Sequence, residues 1–272
     1  MSNIRTIVKE GKSPGKKIVV LAGVHGDEVC GVKAFDDLID KLEIKKGKVT
    51  FIYANLEAQK QKKRFVEANL NRCFLDEQPE DVKGKLEAET AKEILPYLNE
   101  ADVLLDLHSS KSSDSLKYII CEKDCLDLIS ALEPKTVLFG IDDVDKGGSD
   151  GYMFNKGKPG ICVECGLHDS EDSIETAKNS ILNLLKKLEL IEGDFETFDN
   201  KEIFRTDYRY KNKNGPFKFV DWFKDFQEIK EDTVVGHDGD EEVIVKKGKY
   251  FLFPDEPKKI GSECFIVLDK VK

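Results

Sequence analysis

Residues 17–32 read KIVVLAGVHGDEVCGV. Residues 18–21 are an apolar, mostly β-branched run of the kind that fills a buried strand; Gly23 interrupts it, and helix-forming residues resume at Asp27. His25 and Glu28 therefore fall where a strand ends and a helix opens. Three positions apart at a helix start, an imidazole and a carboxylate face the same way. That spacing suits two ligands of one divalent metal. A single H-x-x-E pair is common, so the rest of the chain decides what it means.

Outward from that stretch, strands and helices alternate. Residues 31–42 place Val32, Phe35, Leu38, Ile39 and Leu42 at helical spacing, and 49–54 (VTFIYA) form a second buried strand. A polar segment, 59–73, precedes an amphipathic helix over 80–99. Residues 101–107 (ADVLLDL) give a third strand that runs into His108-Ser109-Ser110. Further strands are predicted over 116–121, 136–141 and 161–164, and a helix over 173–190. This alternation implies an α/β fold, a mostly parallel or mixed sheet flanked by helices. Beyond Gly193 only short strand-like runs appear. The boundaries are placed at 1–195 for the α/β domain and 196–272 for a smaller β-rich C-terminal domain.

The 272 residues carry 43 Lys and Arg against 53 Asp and Glu, a formal charge of −10. Phosphate contacts need a basic face, so nucleic acid is excluded as a general partner. No apolar run approaches the roughly 20 residues of a membrane span, and the N-terminus lacks a signal-peptide core; a cytoplasmic protein is expected, and a homo-oligomer is allowed. Cys121, Cys125, Cys162 and Cys165 have the count for a four-thiolate zinc site. However, Cys162 and Cys165 sit in a strand-like run, where residues three apart point to opposite faces. Buried, reduced thiols are the expectation.

His25 with Glu28, His108 and Glu164 all sit where apolar strands end. In an open α/β sheet, sites gather beyond the carboxyl ends of the strands. His25, Glu28 and His108 would make a His₂Glu zinc site, and Glu164 would be the free carboxylate that takes a proton from water. Arg64, Asn71 and Arg72 lie in the polar segment. A guanidinium matches a carboxylate, and one arginine could instead polarise a carbonyl. Tyr152, at the end of the glycine-rich connection that begins at Lys146, is placed to cover a substrate. Asp106, on the strand face of His108, either orients a ligand or satisfies buried backbone groups. His168 reads as a surface or supporting polar residue, and His237 and the acidic run 238–242 as solvated turns.

HGDE at 25–28, NLNRCF at 69–74, DLHS at 106–109 and VECG at 163–166 resemble the succinylglutamate desuccinylase/aspartoacylase family, the acylase branch of the zinc carboxypeptidase superfamily. The resemblance covers about residues 15–190. It implies one zinc ion on His25, Glu28 and His108, and Glu164 as general base and later proton donor to the leaving amine. It further implies that Arg64 polarises the carbonyl while Asn71 and Arg72 hold the substrate's α-carboxylate. The reaction would be hydrolysis of an N-acyl amino acid or similar small carboxylate. Two features depart from the family. Asn69 stands where the motif often has aspartate, and between Gly147 and Glu164 there is no arginine for a side-chain carboxylate, only Lys156 and Lys158. This argues against acyl-aspartate or succinylglutamate as the particular substrate. A carboxypeptidase trimming short peptides would use the same groups. A non-catalytic binding module would usually lack a ligand or the base, and all four are present.

Overall fold

The computed structural model describes residues 2–112 and 115–271. The chain forms two compact units, Met1–Val137 with Asp145–Lys201, and Leu138–Val144 with Glu202–Lys272. Its strands are β1 (Arg5–Glu10), β2 (Ser13–Ala22), β3 (Lys46–Tyr53), β4 (Val103–Ser110), β5 (Tyr118–Ile120), β6 (Thr136–Phe139), β7 (Gly160–Leu167), β8 (Glu202–Lys211), β9 (Phe217–Phe219), β10 (Thr233–Asp238), β11 (Glu241–Val245), β12 (Lys249–Leu252) and β13 (Glu263–Lys270). Its α-helices are α1 (Cys30–Leu38), α2 (Leu56–Gln61), α3 (Leu86–Glu100), α4 (Leu126–Ile129), α5 (Ile141–Val144), α6 (Ser149–Asn155) and α7 (Glu171–Lys187).

In the first unit the sheet runs β1-β3-β2-β4-β7-β5. β3, β2, β4 and β7 are mutually parallel, whereas β1 and β5 join antiparallel. The expected mixed sheet flanked by helices is present. Alternation along β3 shows why both faces are covered. Phe51 and Tyr53 turn toward Phe35 of α1, with ring centroids 5.2 and 5.1 Å away. Ile52 faces the opposite way and joins Val19, Leu21 and Leu104 beneath Ala91, Ile94 and Leu98 of α3 and Met153 of α6. Each such fully buried side chain contributes about 2 kcal/mol.

Two helices depart from the sequence pattern. The periodicity predicts a helix over 80–99, but α3 starts at Leu86 because Gly84 has φ +77°, a left-handed conformation that breaks the helix. Glu87 then turns inward. Its buried carboxylate accepts the backbone N–H groups of Val66 (2.6 Å), Glu67 (3.1 Å) and Ala68 (2.9 Å), which ties down the loop before Asn69. Similarly, α1 begins only at Cys30, so His25 and Glu28 lie on a turn closed by Glu28 N–H donating to His25 C=O at 3.1 Å. The turn packs tightly at Gly26, where a Cβ would come 2.2 Å from the Ala58 carbonyl carbon.

In the second unit β8, β13 and β12 pair antiparallel, and β9, β10 and β11 form a separate antiparallel sheet. Its core is aromatic: Phe223 stacks on Phe251 at 4.5 Å, and Phe217, Phe219 and Phe265 pack around them. One expectation is corrected here. The acidic run 238–242 is not wholly a solvated turn, because Asp238 is buried and accepts from Tyr210 Oη and the N–H groups of Lys213, Asn214 and Gly215. No helix among the described residues is long and apolar enough to cross a membrane. All seven cysteines are buried and unpaired, and none belongs to the groupings of possible metal ligands among the described residues.

Candidate metal centre

The carboxyl ends of β2, β4 and β7 deliver the site, which lies wholly in the first unit. The turn after β2 carries His25 and Glu28. His108 lies inside β4 rather than beyond it, since the strand continues to Ser110. Donor atoms of His25, Glu28 and His108 all lie within 4.8 Å of one another, and all three residues are buried. Glu28 is the hub. Its Oε1 is 2.7 Å from His25 Nδ1 and accepts from Arg64 Nη1 at 3.0 Å; its Oε2 is 2.8 Å from His108 Nδ1 and accepts from Ser109 N–H at 3.2 Å. In the parallel pair β4–β7, His108 is the register partner of Glu164, so the two side chains lie side by side on one face.

The polar contacts continue into a closed ring. His108 Nε2 lies 3.2 Å from Asp106 Oδ2, which also accepts from Ser149 Oγ. Ser149 N–H donates to Asn71 Oδ1 at 3.3 Å, and Asn71 N–H donates to Asn69 Oδ1 at 3.0 Å. That same oxygen is 2.9 Å from His25 Nε2. Asp106 therefore sits against the imidazole rather than on backbone groups. Asn69, Ser149 and Glu87 were not assigned roles from sequence; only Asn69 carried a signal there, as the departure in NLNR.

Charge and burial oppose one another at the hub. Burial alone would raise the Glu28 carboxyl, but the flanking imidazoles outweigh it and hold the pKa well below the usual range. Burial lowers His25. For His108 burial is again the largest single influence, yet Asp106 and Glu28 together lift it well above the ordinary value. His25 thus faces oxygen acceptors at both nitrogens and, kept neutral by burial, has one proton for the two, whereas His108 Nε2 lies 3.2 Å from Asp106 Oδ2 without a hydrogen bond among the described residues. A cation among the two Nδ1 atoms and the Glu28 carboxylate would satisfy this arrangement, and the nitrogen and oxygen donor set fits a divalent metal such as zinc.

The remaining residues fall around this centre unevenly. Arg64 is exposed apart from its bond to Glu28. Arg72 engages Asp145 and its neighbour's main-chain carbonyl, Asn71 O, at 2.6 Å. Gly147, at φ +93°, lets the chain pass so close that a Cβ would sit 2.7 Å from Arg72 C. Tyr152 is not brought to the centre: it is buried in the core with its hydroxyl donating to Asn99 Oδ1 at 2.8 Å. Lys156 pairs with Asp76 and Lys158 with Asn99 O. His168 is half-buried beside the centre, 2.9 Å from Ser109 Oγ, and groups with Asp27 and Glu28. There Lys111 Nζ lies 2.5 Å from Asp27 Oδ2, and Arg64 bonds Glu28.

Asp150, at the start of α6, is buried near Asp106, and its carboxyl is pushed up to about 7, by burial first and by Asp106 second. The folded chain therefore keeps a proton that the unfolded chain releases near 3.8, so stability falls as pH rises from about 4 to about 7. Asp150→Asn removes this dependence. We expect it to raise the melting temperature by several degrees at pH 8 and by less at pH 5. Equal gains at both pH values in thermal melts would contradict the assignment.

Strand-end residues converging beyond a mixed sheet define an α/β protein with a candidate His-Glu-His metal centre. The sequence profile of the succinylglutamate desuccinylase/aspartoacylase catalytic domain matches residues 14–188. The chain belongs to that family, which implies a hydrolytic deacylase. It is 25% identical over 295 residues to a succinylglutamate desuccinylase of Vibrio campbellii, covering 99% of this chain and 85% of the relative. It is 33% identical over 125 residues to a probable aspartoacylase of Synechococcus sp., covering 42% and 40% of the two chains. The solved structure of succinylglutamate desuccinylase from Vibrio parahaemolyticus superposes with a TM-score of 0.81 at 20% identity, covering 98% of this chain and 86% of that one, a likeness of fold.

Proposed function

We propose that this chain is a zinc-dependent amidohydrolase that removes the acyl group from an N-acyl amino acid or a similar small carboxylate. The observation that carries the reading is the meeting of His25, Glu28 and His108 donors within 4.8 Å, with Glu164 in register beside His108. His25, Glu28 and His108 would hold the metal. Bound there, it would supply positive charge that brings the pKa of water down to about 7 and polarises a carbonyl.

The chain's own groups divide the remaining work. Glu164 accepts the proton of the attacking water and returns it to the leaving nitrogen. The guanidinium of Arg64, half in solvent, offers N–H groups to the carbonyl oxygen as negative charge develops on it. Arg72 already holds a carboxylate, that of Asp145, and would exchange it for the substrate's α-carboxylate. The Nδ2 group of Asn71 makes no hydrogen bond among the described residues and adds a directional donor next to it. In this reading the catalysis belongs to the α/β domain, 1–195.

The test is a panel of N-acyl amino acids scored for free amine, with metal content measured by elemental analysis. One equivalent of zinc and release from at least one member is the expected result. Zinc-loaded protein that is silent across the panel, yet frees C-terminal residues from short peptides, would replace the deacylase reading with a carboxypeptidase one.

A further inference from the structure

The first unit also holds a cavity of about 340 Å³, lined by the stretch that follows NLNRCF and by Lys92 and Leu95 of α3. That volume falls in the range of small-molecule sites, roughly 300–1,000 Å³. None of its lining residues is among those assigned to metal or substrate. Leu75 and Leu95 give it an apolar wall, and Leu95 is itself packed on the core.

Most of the polar lining is matched within the protein. Lys83 pairs with Glu80 at 2.9 Å, Lys92 with Glu89 at 2.6 Å, and Asp76 with Lys156 at 2.8 Å. Two groups are left over. Glu77 is exposed, and its carboxylate makes no hydrogen bond or ion pair among the described residues. Gln78 is the second. Its Nε2 donates to Ala88 O at 2.8 Å and to Cys73 O at 3.3 Å, which uses both hydrogens. Turning the amide over would set its oxygen against two carbonyl oxygens, so the orientation is fixed. Oε1 is then buried without a donor among the described residues, an unfavourable state that an incoming N–H would relieve.

Both leftover groups are acceptors, and one is charged. Their complement is a positive group with several N–H donors, carried on carbons that can lie against the leucines. A primary ammonium ion has three donors and no acceptor. The formal charge of −10 favours the approach of a cation. An anion is disfavoured, because each lining lysine already has a glutamate.

We propose that this cavity binds a small aliphatic ammonium ion, its N–H groups on Glu77 and Gln78 Oε1 and its carbon chain against Leu75 and Leu95. A free amine, a polyamine and the α-ammonium of an amino acid share that chemistry. The site depends neither on the metal nor on the deacylase reading.

The experiment titrates the full chain calorimetrically, at neutral pH, with n-butylamine, putrescine and L-norleucine. Tetramethylammonium, a charge without N–H, and n-butanol, a donor without charge, are the controls. At least one amine is expected to bind with a dissociation constant on the order of 1 mM or tighter, and both controls about tenfold more weakly or worse. Preference for putrescine identifies a polyamine site and preference for norleucine an amino-acid site; either supports the proposal. Glu77→Gln, which has no bond to lose in the free protein, should weaken amine binding roughly threefold or more. Gln78→Met should weaken it roughly tenfold or more. That variant also frees Cys73 O and Ala88 O, so circular dichroism checks its folding, and Glu77→Gln decides alone if it misfolds. Absence of binding by all three amines overturns the proposal. So does tetramethylammonium binding as tightly as the best amine, or an affinity that Glu77→Gln leaves unchanged.

Discussion

Glu164→Gln is expected to retain its zinc and to lose turnover by about 10³-fold on whichever substrate the panel identifies. The two side chains are nearly isosteric, so the β4–β7 register that sets Glu164 beside His108 survives the change. What disappears is the capacity to take a proton. A positioned base or acid contributes typically about 10² to 10⁴ in rate, and here one carboxylate serves both proton transfers. The substrate's carboxylate is held elsewhere in this scheme, by Arg72 and Asn71, so KM should change little while kcat falls. Initial rates of amine release, together with zinc content by elemental analysis, decide the matter. Turnover within tenfold of wild type would remove Glu164 from the mechanism, and loss of zinc would make it a ligand instead.

Glu28→Gln is expected to weaken zinc binding by more than about 10²-fold, beyond what partners behind a ligand usually cause. It should also destabilise the metal-free fold. In the wild type two imidazoles, a guanidinium and a backbone N–H converge on one fully buried carboxylate. A glutamine removes the charge and turns an NH₂ group toward some of these donors. Breaking a buried pair by changing one partner costs about 3–5 kcal/mol, or on the order of 10 °C in a chain of this size. The pH dependence follows from the two shifted groups. Glu28 is depressed, so its stabilisation is present above about 4.5 and is lost as pH falls through the lower folded value. His108 is raised, so its stabilisation is complete below about 6.5 and is lost as pH rises through the higher folded value. Metal-free wild type should be most stable between these limits, and Glu28→Gln should flatten the profile. Thermal melts from pH 3 to 9 test this; a variant as stable as wild type throughout would show that the pairing contributes nothing.

The candidate site was legible in the sequence to the extent that it lies at the ends of apolar runs. Burying apolar stretches such as 18–21 and 103–107 is a local pattern, and the polar residue that closes each run is marked by it. That marks His25, His108 and Glu164 as the polar residues closing those runs, although β4 and β7 continue past His108 and Glu164 to Ser110 and Leu167. The supports were not legible in this way. Asn69 meets His25 across 44 positions, Ser149 meets Asp106 across 43, and Glu87 bonds a loop about 20 residues upstream. Each is a polar residue in a polar stretch, where a solvated surface and a buried anchor look alike. Asp238 misled for the same reason: its three N–H donors come from residues 213–215. Tyr152 stands on the expected connection, but α6 turns its ring into the core.

By itself, the order of residues along the chain determined the α/β class, the family, and which imidazoles and carboxylates close the apolar runs. Only the tertiary structure decided which of them meet. His108 lies beside Glu164 because β4 and β7 pair in that register, and because side chains alternate across a strand, a slip of one residue would send one of the two to the opposite face. Nor does any local propensity choose between a helical turn and the tight turn at Gly26. The packing of that turn against Ala58 makes the choice, and with it the direction in which Glu28 points.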